Sequence, residues 1–189
     1  IISKPKMLSN EKPNQIAPEK ILAMSNLRLD IARELLLSFS TGKVPADKAL
    51  AAAFRRRKFA GARDRRFVSE SIFSLFRWWG WIRTAIGADC EIRKLADNAD
   101  DIKKLSGALS LASELEIFLS NKNDSEVLSS ASAFFAAHSS TPEHGFKAST
   151  LFPDFFEREL SPDLDFEKTC SSFQKRAPVW LRMQNDSDL

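Results

Sequence analysis

Residues 51–82 read AAAFRRRKFAGARDRRFVSESIFSLFRWWGWI, and the fold turns on how they are parsed. A basic block ends one apolar periodicity, Gly61 interrupts, and a second basic cluster opens another. From there Val68, Ile72, Leu75, Phe76, Trp79, Ile82 and Ile86 recur at spacings of four, three, one, three, three and four. That is one side of a helix with about 3.6 residues per turn. Phe67, Trp78 and Trp81 widen the stripe. A helix apolar over so wide an arc needs neighbours on more than one side. The spacing predicts a central core helix that begins near Arg63. Before it, Pro45 is placed to open a helix over ADKALAAAFRRRK, residues 46–58, with Ala46, Leu50, Ala53 and Phe54 facing inward. Gly61 is the expected C-terminal cap of that helix.

Outward from this pair the same periodicity continues. Between Glu19 and about Phe39, Ile21, Leu22, Leu29, Ile31, Leu35, Leu36 and Phe39 lie among good helix formers, and Gly42 follows as a stop. Asp100 or Asp101 is expected to cap a helix whose face carries Ile102, Leu105, Leu109, Ala112 and Leu119. Ser125 is expected to cap another, from Glu126 to about His138, with Leu128, Ala131 and Phe135 inward. Residues 87–100 show no clear period, and 139–150 read as a loop. Short helices over Asp154–Leu160 and Asp165–Lys175 come next, and Val179–Met183 is the one strand-like segment. The expectation is an all-α bundle of about six to eight helices over residues 19–176, with a β-strand start at 177–189. A leader with scattered prolines and lysines is expected over residues 1–18. The chain opens on Ile1 and ends WLRMQNDSDL, as a piece of a longer protein would.

Composition narrows the function. The net charge over 189 residues is only +3. Yet between Arg55 and Arg83 nine cations face only Asp64 and Glu70, a local charge of +7 that leaves −4 for everything else. Such asymmetry is that of a charged binding face on a near-neutral body. Cys90 and Cys170 are far apart, lack a partner motif and follow no secretory signal, which predicts reduced thiols in a cytoplasmic protein. No apolar run approaches the roughly 18 residues of a membrane span. The glycines form neither GxGxxG nor GxxxxGK[ST], so no phosphate or dinucleotide cradle is encoded. His138 and His144 lie near a loop with no cysteine pair beside them, and no metal site is expected. No catalytic residue is assigned; the chain does not read as a complete enzyme.

The seven cations Arg55, Arg56, Arg57, Lys58, Arg63, Arg65 and Arg66 are the candidate site. Cations at a helix C-terminus gain about 0.3–1 kcal/mol each from the macrodipole, which accounts for one or two of them. Four in a row, followed by three more across a glycine, repel one another. A polyanion relieves that repulsion, and arginine grips phosphate with a forked pair of donors. Nucleic-acid contact is the first reading, an acidic protein partner the second and a solvated face the third. Trp78, Trp79, Trp81, Phe73 and Phe76 have the chemistry to stack on unpaired bases. At helical spacing in an all-α core, however, they read as packing.

These residues resemble a known pattern. Leu50 and Phe54 on a proline-led helix, then Asp64, Arg65, Phe67 and Val68 entering a long helix that carries Leu75 and Arg77, are similar to the NusB-like domain. LFPDFFEREL (151–160) and then KRAPVWLRMQN (175–185) resemble the junction in the RsmB/Sun family of RNA cytosine-5 methyltransferases. There a NusB-like domain precedes a strand that leads to the catalytic domain. Pro178, Trp180, Leu181, Arg182 and Asn185 approximate that strand, with one extra residue before the asparagine. The resemblance spans roughly residues 19–185. It implies a helical module that binds RNA, ribosomal (16S) in the parent family, for S-adenosylmethionine-dependent methylation at C5 of cytosine. The family's glycine-rich cofactor loop and its Pro-Cys and Thr-Cys motifs are missing. Thr169-Cys170 falls before the junction and inside an expected helix, where it reads as coincidence. No cofactor is therefore expected in this chain, S-adenosylmethionine belonging to the absent catalytic domain. The alternative is a stand-alone NusB-type adaptor that joins RNA to a protein partner in transcription antitermination.

Overall fold

The computed structural model describes residues 18–39, 44–88, 90–123, 125–138, 145–153 and 155–174. Among these the chain is all-α, with eight α-helices, two 3-10 helices and no strand. The leader, all but Pro18, and the strand-like Val179–Met183 lie outside the described residues. No helix among the described residues is long and apolar enough to cross a membrane.

Helix α1 (Pro18–Phe39) buries Ile31, Ala32, Leu35 and Leu36 in its second half, where Leu29 is half-buried and Leu37 exposed. Its first half leaves Ile21 and Leu22 exposed. Helix α2 (Ala46–Arg56) turns Leu50, Ala53 and Phe54 inward, as the spacing predicts, while Ala46 in its first turn is only half-buried. The wide apolar stripe that follows is two helices rather than one. Helix α3 (Ala62–Arg77) stops at Trp78, whose φ of −105° and ψ of 12° leave the helical region, and α4 (Trp79–Ala85) restarts at once. The buried stripe continues across the break, and Trp78 and Trp81 both lie in the core, ring centroids 5.3 Å apart. Fully burying one large apolar side chain stabilises a fold by about 1.5–3 kcal/mol, so these positions carry much of the core.

A 3-10 helix (Ile92–Ala96) fills the span without periodicity and buries Leu95 and Ala96 against α1 and α5. Helix α5 (Ala99–Leu119) packs along α3, which lies centrally between α1 and α5. The cap of α5 is Asn98, not Asp100 or Asp101. Its Oδ1 accepts from the backbone N–H of both aspartates at 3.0 Å, while their carboxylates sit in the first turn, where the macrodipole favours them. Helix α6 (Val127–His138) adds Ala131, Phe134 and Phe135 to the core.

The C-terminal part is fastened by polar contacts. A second 3-10 helix (Ala148–Leu151) crosses α4 at Gly80, where an added Cβ would stand 1.8 Å from the Thr150 carbonyl oxygen. The Trp81 indole N–H donates to Lys147 O and Thr150 Oγ1, both at 2.9 Å. Helix α7 (Phe155–Glu159) and helix α8 (Phe166–Phe173), capped by Asp165, join Phe152 in an aromatic cluster around Phe156. Glu167 of α8 accepts from the Ala148 and Ser149 backbone N–H groups at 2.7 and 3.1 Å. Arg77 of α3 reaches Gln174, closing the C-terminal part onto the central helix.

Candidate nucleic-acid interface

All seven predicted cations belong to the elbow between α2 and α3. Helix α2 ends at Arg56, and Arg57 follows as its C-cap with φ −108° and ψ 65°. A tight turn over Arg57–Ala60 is closed by the Ala60 N–H donating to Arg57 O at 3.0 Å. Gly61 then opens α3 and does not cap α2. Its φ of −69° lies outside the left-handed region that a glycine C-cap requires, because the turn has already reversed the chain. The Gly61 N–H donates to Asp64 Oδ2 at 3.1 Å, but glycine has no side chain to cap the first turn in return.

The elbow divides the cations into two sets. Arg56 and Arg57 both bind Glu34 of α1, Arg57 at 2.8 Å, and Arg57 also donates to Ala53 O at 3.3 Å. Together they clamp the end of α2 to α1. Arg65 Nε donates to Ala60 O at 2.9 Å, and its guanidinium lies 5.8 Å from the centroid of the Phe54 ring. Arg66 pairs with Glu70 one turn on, at 2.7 Å, and that hydrogen bond holds its guanidinium above the ordinary arginine value. These four have structural partners.

Arg55, Lys58 and Arg63 do not. All three are exposed, and among the described residues they make no hydrogen bond or ion pair. Arg55 has the α2 macrodipole in its favour. Arg63 stands in the first turn of α3, where the dipole opposes a cation, so helix stability does not account for it. The cations with no hydrogen bond or ion pair among the described residues are thus three side chains spread along the elbow, while Arg65, bound only to a carbonyl, keeps its charge exposed.

Phe59, within the elbow, is 77% exposed. Residue type and spacing did not single it out. The signal was its register: five residues past Phe54 it falls off the inward stripe of α2, just ahead of the chain reversal. The aromatics weighed for stacking fare differently. Trp78 and Trp81 are buried and unavailable, Trp79 and Phe76 are half-buried, and Phe73 is exposed on the outer side of α3.

A concave surface of about 800 Å3 away from the elbow is lined by Phe76, Trp79, Arg83, Arg93, Phe152 and Phe155, among others. Arg93 is paired there with Glu91. The remaining chemistry-bearing groups are dispersed. His138 stacks on Phe134, with ring centroids 4.1 Å apart, and His144 lies outside the described residues. Cys170 is buried; desolvation and the Glu167 carboxylate push its thiol up, so it stays protonated at neutral pH. Among the described residues no group of histidine, cysteine and carboxylate side chains could hold a metal ion. Arg28 is a buried cation whose hydrogen bonds among the described residues all go to neutral acceptors, Leu109 O at 3.2 Å, Ser113 Oγ at 2.8 Å and Ser110 Oγ at 3.2 Å, with its guanidinium 5.4 Å from the Phe67 ring centroid. Burial lowers its proton affinity.

The chain matches no protein-family model, no curated protein and no solved structure in these comparisons.

Proposed function

We propose that the chain binds RNA through the α2–α3 elbow, as the targeting domain of an S-adenosylmethionine-dependent ribosomal-RNA cytosine-5 methyltransferase. One observation carries the binding reading. Arg55, Lys58 and Arg63 stand exposed at one elbow without a hydrogen-bond or ion-pair partner among the described residues, while Arg56, Arg57, Arg65 and Arg66 are held by the protein itself. The three open cations have no structural employment, and Arg63 works against its own helix dipole. Phosphates spaced along a nucleic-acid strand complement them, with release of condensed counterions as the driving force.

The methyltransferase half of the reading rests on the likeness of Pro178, Trp180, Leu181, Arg182 and Asn185 to a junction strand, residues outside the described part of the chain. A stand-alone adaptor is the second reading. The aromatic groove between α4 and the second 3-10 helix favours it, because it offers apolar side chains of a protein partner somewhere to sit.

The test is a salt titration of binding to a labelled ribosomal-RNA hairpin by fluorescence anisotropy. The parent should show a steep fall of log K with log salt. The Arg55→Ala, Lys58→Ala, Arg63→Ala triple variant should bind more weakly, with that slope flattened by about 2–3. A triple variant that matches the parent at every salt concentration refutes the assignment.

A further inference from the structure

The RNA reading employs the open cations of the elbow and leaves one residue there without a task. Phe59 is the most exposed of the large apolar side chains among the described residues, at 77%. It is the third residue of the Arg57–Ala60 turn, a position from which a side chain is displayed rather than packed. Of the apolar residues around it, Phe54 and Ala60 are buried and only the small Ala62 is also exposed, so Phe59 is the one large apolar side chain that the elbow displays. Lys58 precedes it directly, and Arg55 and Arg63 lie four residues to either side.

A lone exposed phenylalanine ordinarily needs no explanation. Its surroundings make this one different. An apolar partner covering the ring would come up against Lys58 beside it and Arg55 and Arg63 four residues away, which have no ion-pair partner among the described residues, and burying unpaired charge is costly. A nucleotide answers both demands, because its phosphate neutralises the cations while its base presents a π face to the ring. A paired base does not, since in an A-form duplex both faces are taken up by the stack. Base–aromatic stacking on an exposed ring beside a basic track is how unpaired strands are held.

We infer that the elbow takes unpaired nucleotides: Phe59 stacks on a base while Arg55, Lys58 and Arg63 neutralise the flanking phosphates. This rests on the RNA reading above and specifies which RNA structure the site accepts. Loops, bulges and single-stranded ends are its substrates, and an uninterrupted duplex is not.

The experiment uses the full chain and two RNAs of equal length. One is a hairpin whose loop carries 2-aminopurine, the other a blunt, fully paired duplex. The parent should prefer the hairpin and quench the 2-aminopurine. Phe59→Ala should weaken hairpin binding by about 5- to 150-fold, the range that loss of one stacked base produces, and abolish the quenching. Its salt slope should equal the parent's, because the ring carries no charge. Duplex binding should not change, Phe59→Trp should restore both signals, and Phe59→Leu should not, since it is apolar without a π face. The side chain is exposed, so the variants keep the parent's fold, checked by circular dichroism.

If Phe59→Ala binds the hairpin like the parent while the triple cation variant does not, the stacking inference falls and the RNA reading stands. A parent that retains neither RNA at low salt sinks both. Equal affinity of the parent for hairpin and duplex also overturns the inference. So does co-sedimentation with phosphatidylserine vesicles that Phe59→Ala abolishes while hairpin binding persists, which would make the ring a membrane contact.

Discussion

Replacing Gly80 with alanine tests how the C-terminal part is fastened to the core. A Cβ at residue 80 would lie 1.8 Å from Thr150 O, 2.7 Å from Thr150 C and 3.0 Å from Leu151 Cα. All three are backbone atoms, so no rotamer change relieves the clash. Restoring ordinary contact requires the second 3-10 helix to retreat by about 1.5 Å. The Trp81 indole then loses its acceptors, Lys147 O and Thr150 Oγ1, now at 2.9 Å. Overpacking a tight contact costs about 1–3 kcal/mol, and a buried donor left unsatisfied about 1–3 kcal/mol more. The better helix propensity of alanine returns up to about 1 kcal/mol. The net expectation is a destabilisation of about 1–5 kcal/mol. Gly107, exposed in the middle of α5 with no atom within 4 Å of its would-be Cβ, supplies the control. The same substitution there should stabilise by up to about 1 kcal/mol. Urea unfolding followed by circular dichroism and tryptophan emission measures both, and the emission of Gly80→Ala should shift to the red as Trp81 loses its cover. If Gly80→Ala stays within about 0.5 kcal/mol of the parent, the close approach of these two segments is not what holds them together.

Other outcomes follow from the same contacts. Glu34→Gln releases Arg56 and Arg57 and should steepen the salt dependence of RNA binding by about 1–2, read from the slope of the salt titration, at a stability cost of no more than about 1 kcal/mol. Arg28→Met should be near neutral in urea melts, because an apolar side chain of similar length fills the site without the desolvation of a cation that lacks a carboxylate. Arg28→Ala leaves a cavity instead and should cost about 2–4 kcal/mol. Cys170 should alkylate with iodoacetamide far more slowly than the half-buried Cys90 at pH 8, monitored by mass spectrometry. Because folding raises the Cys170 thiol, its contribution to stability is fully present below the unfolded thiol's value and is lost as pH rises through the folded one. Unfolding free energy should therefore fall in that alkaline window, and Cys170→Ser should flatten the decline.

Most of the helices were legible because burial on one face imposes a period that sequence displays directly. Leu50, Ala53 and Phe54 face the core as their spacing predicts, and so do Leu105, Leu109 and Ala112. The helix ends were less legible. Asn98 rather than either aspartate caps α5, since three neighbouring residues all suit the role and only backbone geometry selects one. The 3-10 helix over Ile92–Ala96 escaped because five residues are too few to show a period.

Periodicity also concealed the break at Trp78. The apolar stripe runs unbroken through it, and two helices in close succession carry the same spacing as one. Just past the break, at Gly80, the second 3-10 helix arrives from some seventy residues later in the chain, a long-range contact with no local signature. The candidate site shows the same division. Residue type and charge density marked the seven cations of the elbow. Which of them face a partner depends on where carboxylates and carbonyls from other elements fall: Glu34 on α1 takes up Arg56 and Arg57, and Ala60 O takes up Arg65. Composition can count charges, but the packing of α1 against α2 decides that Arg56 and Arg57 are engaged, and the elbow's own turn and helix engage Arg65 and Arg66, leaving Arg55, Lys58 and Arg63 open around Phe59.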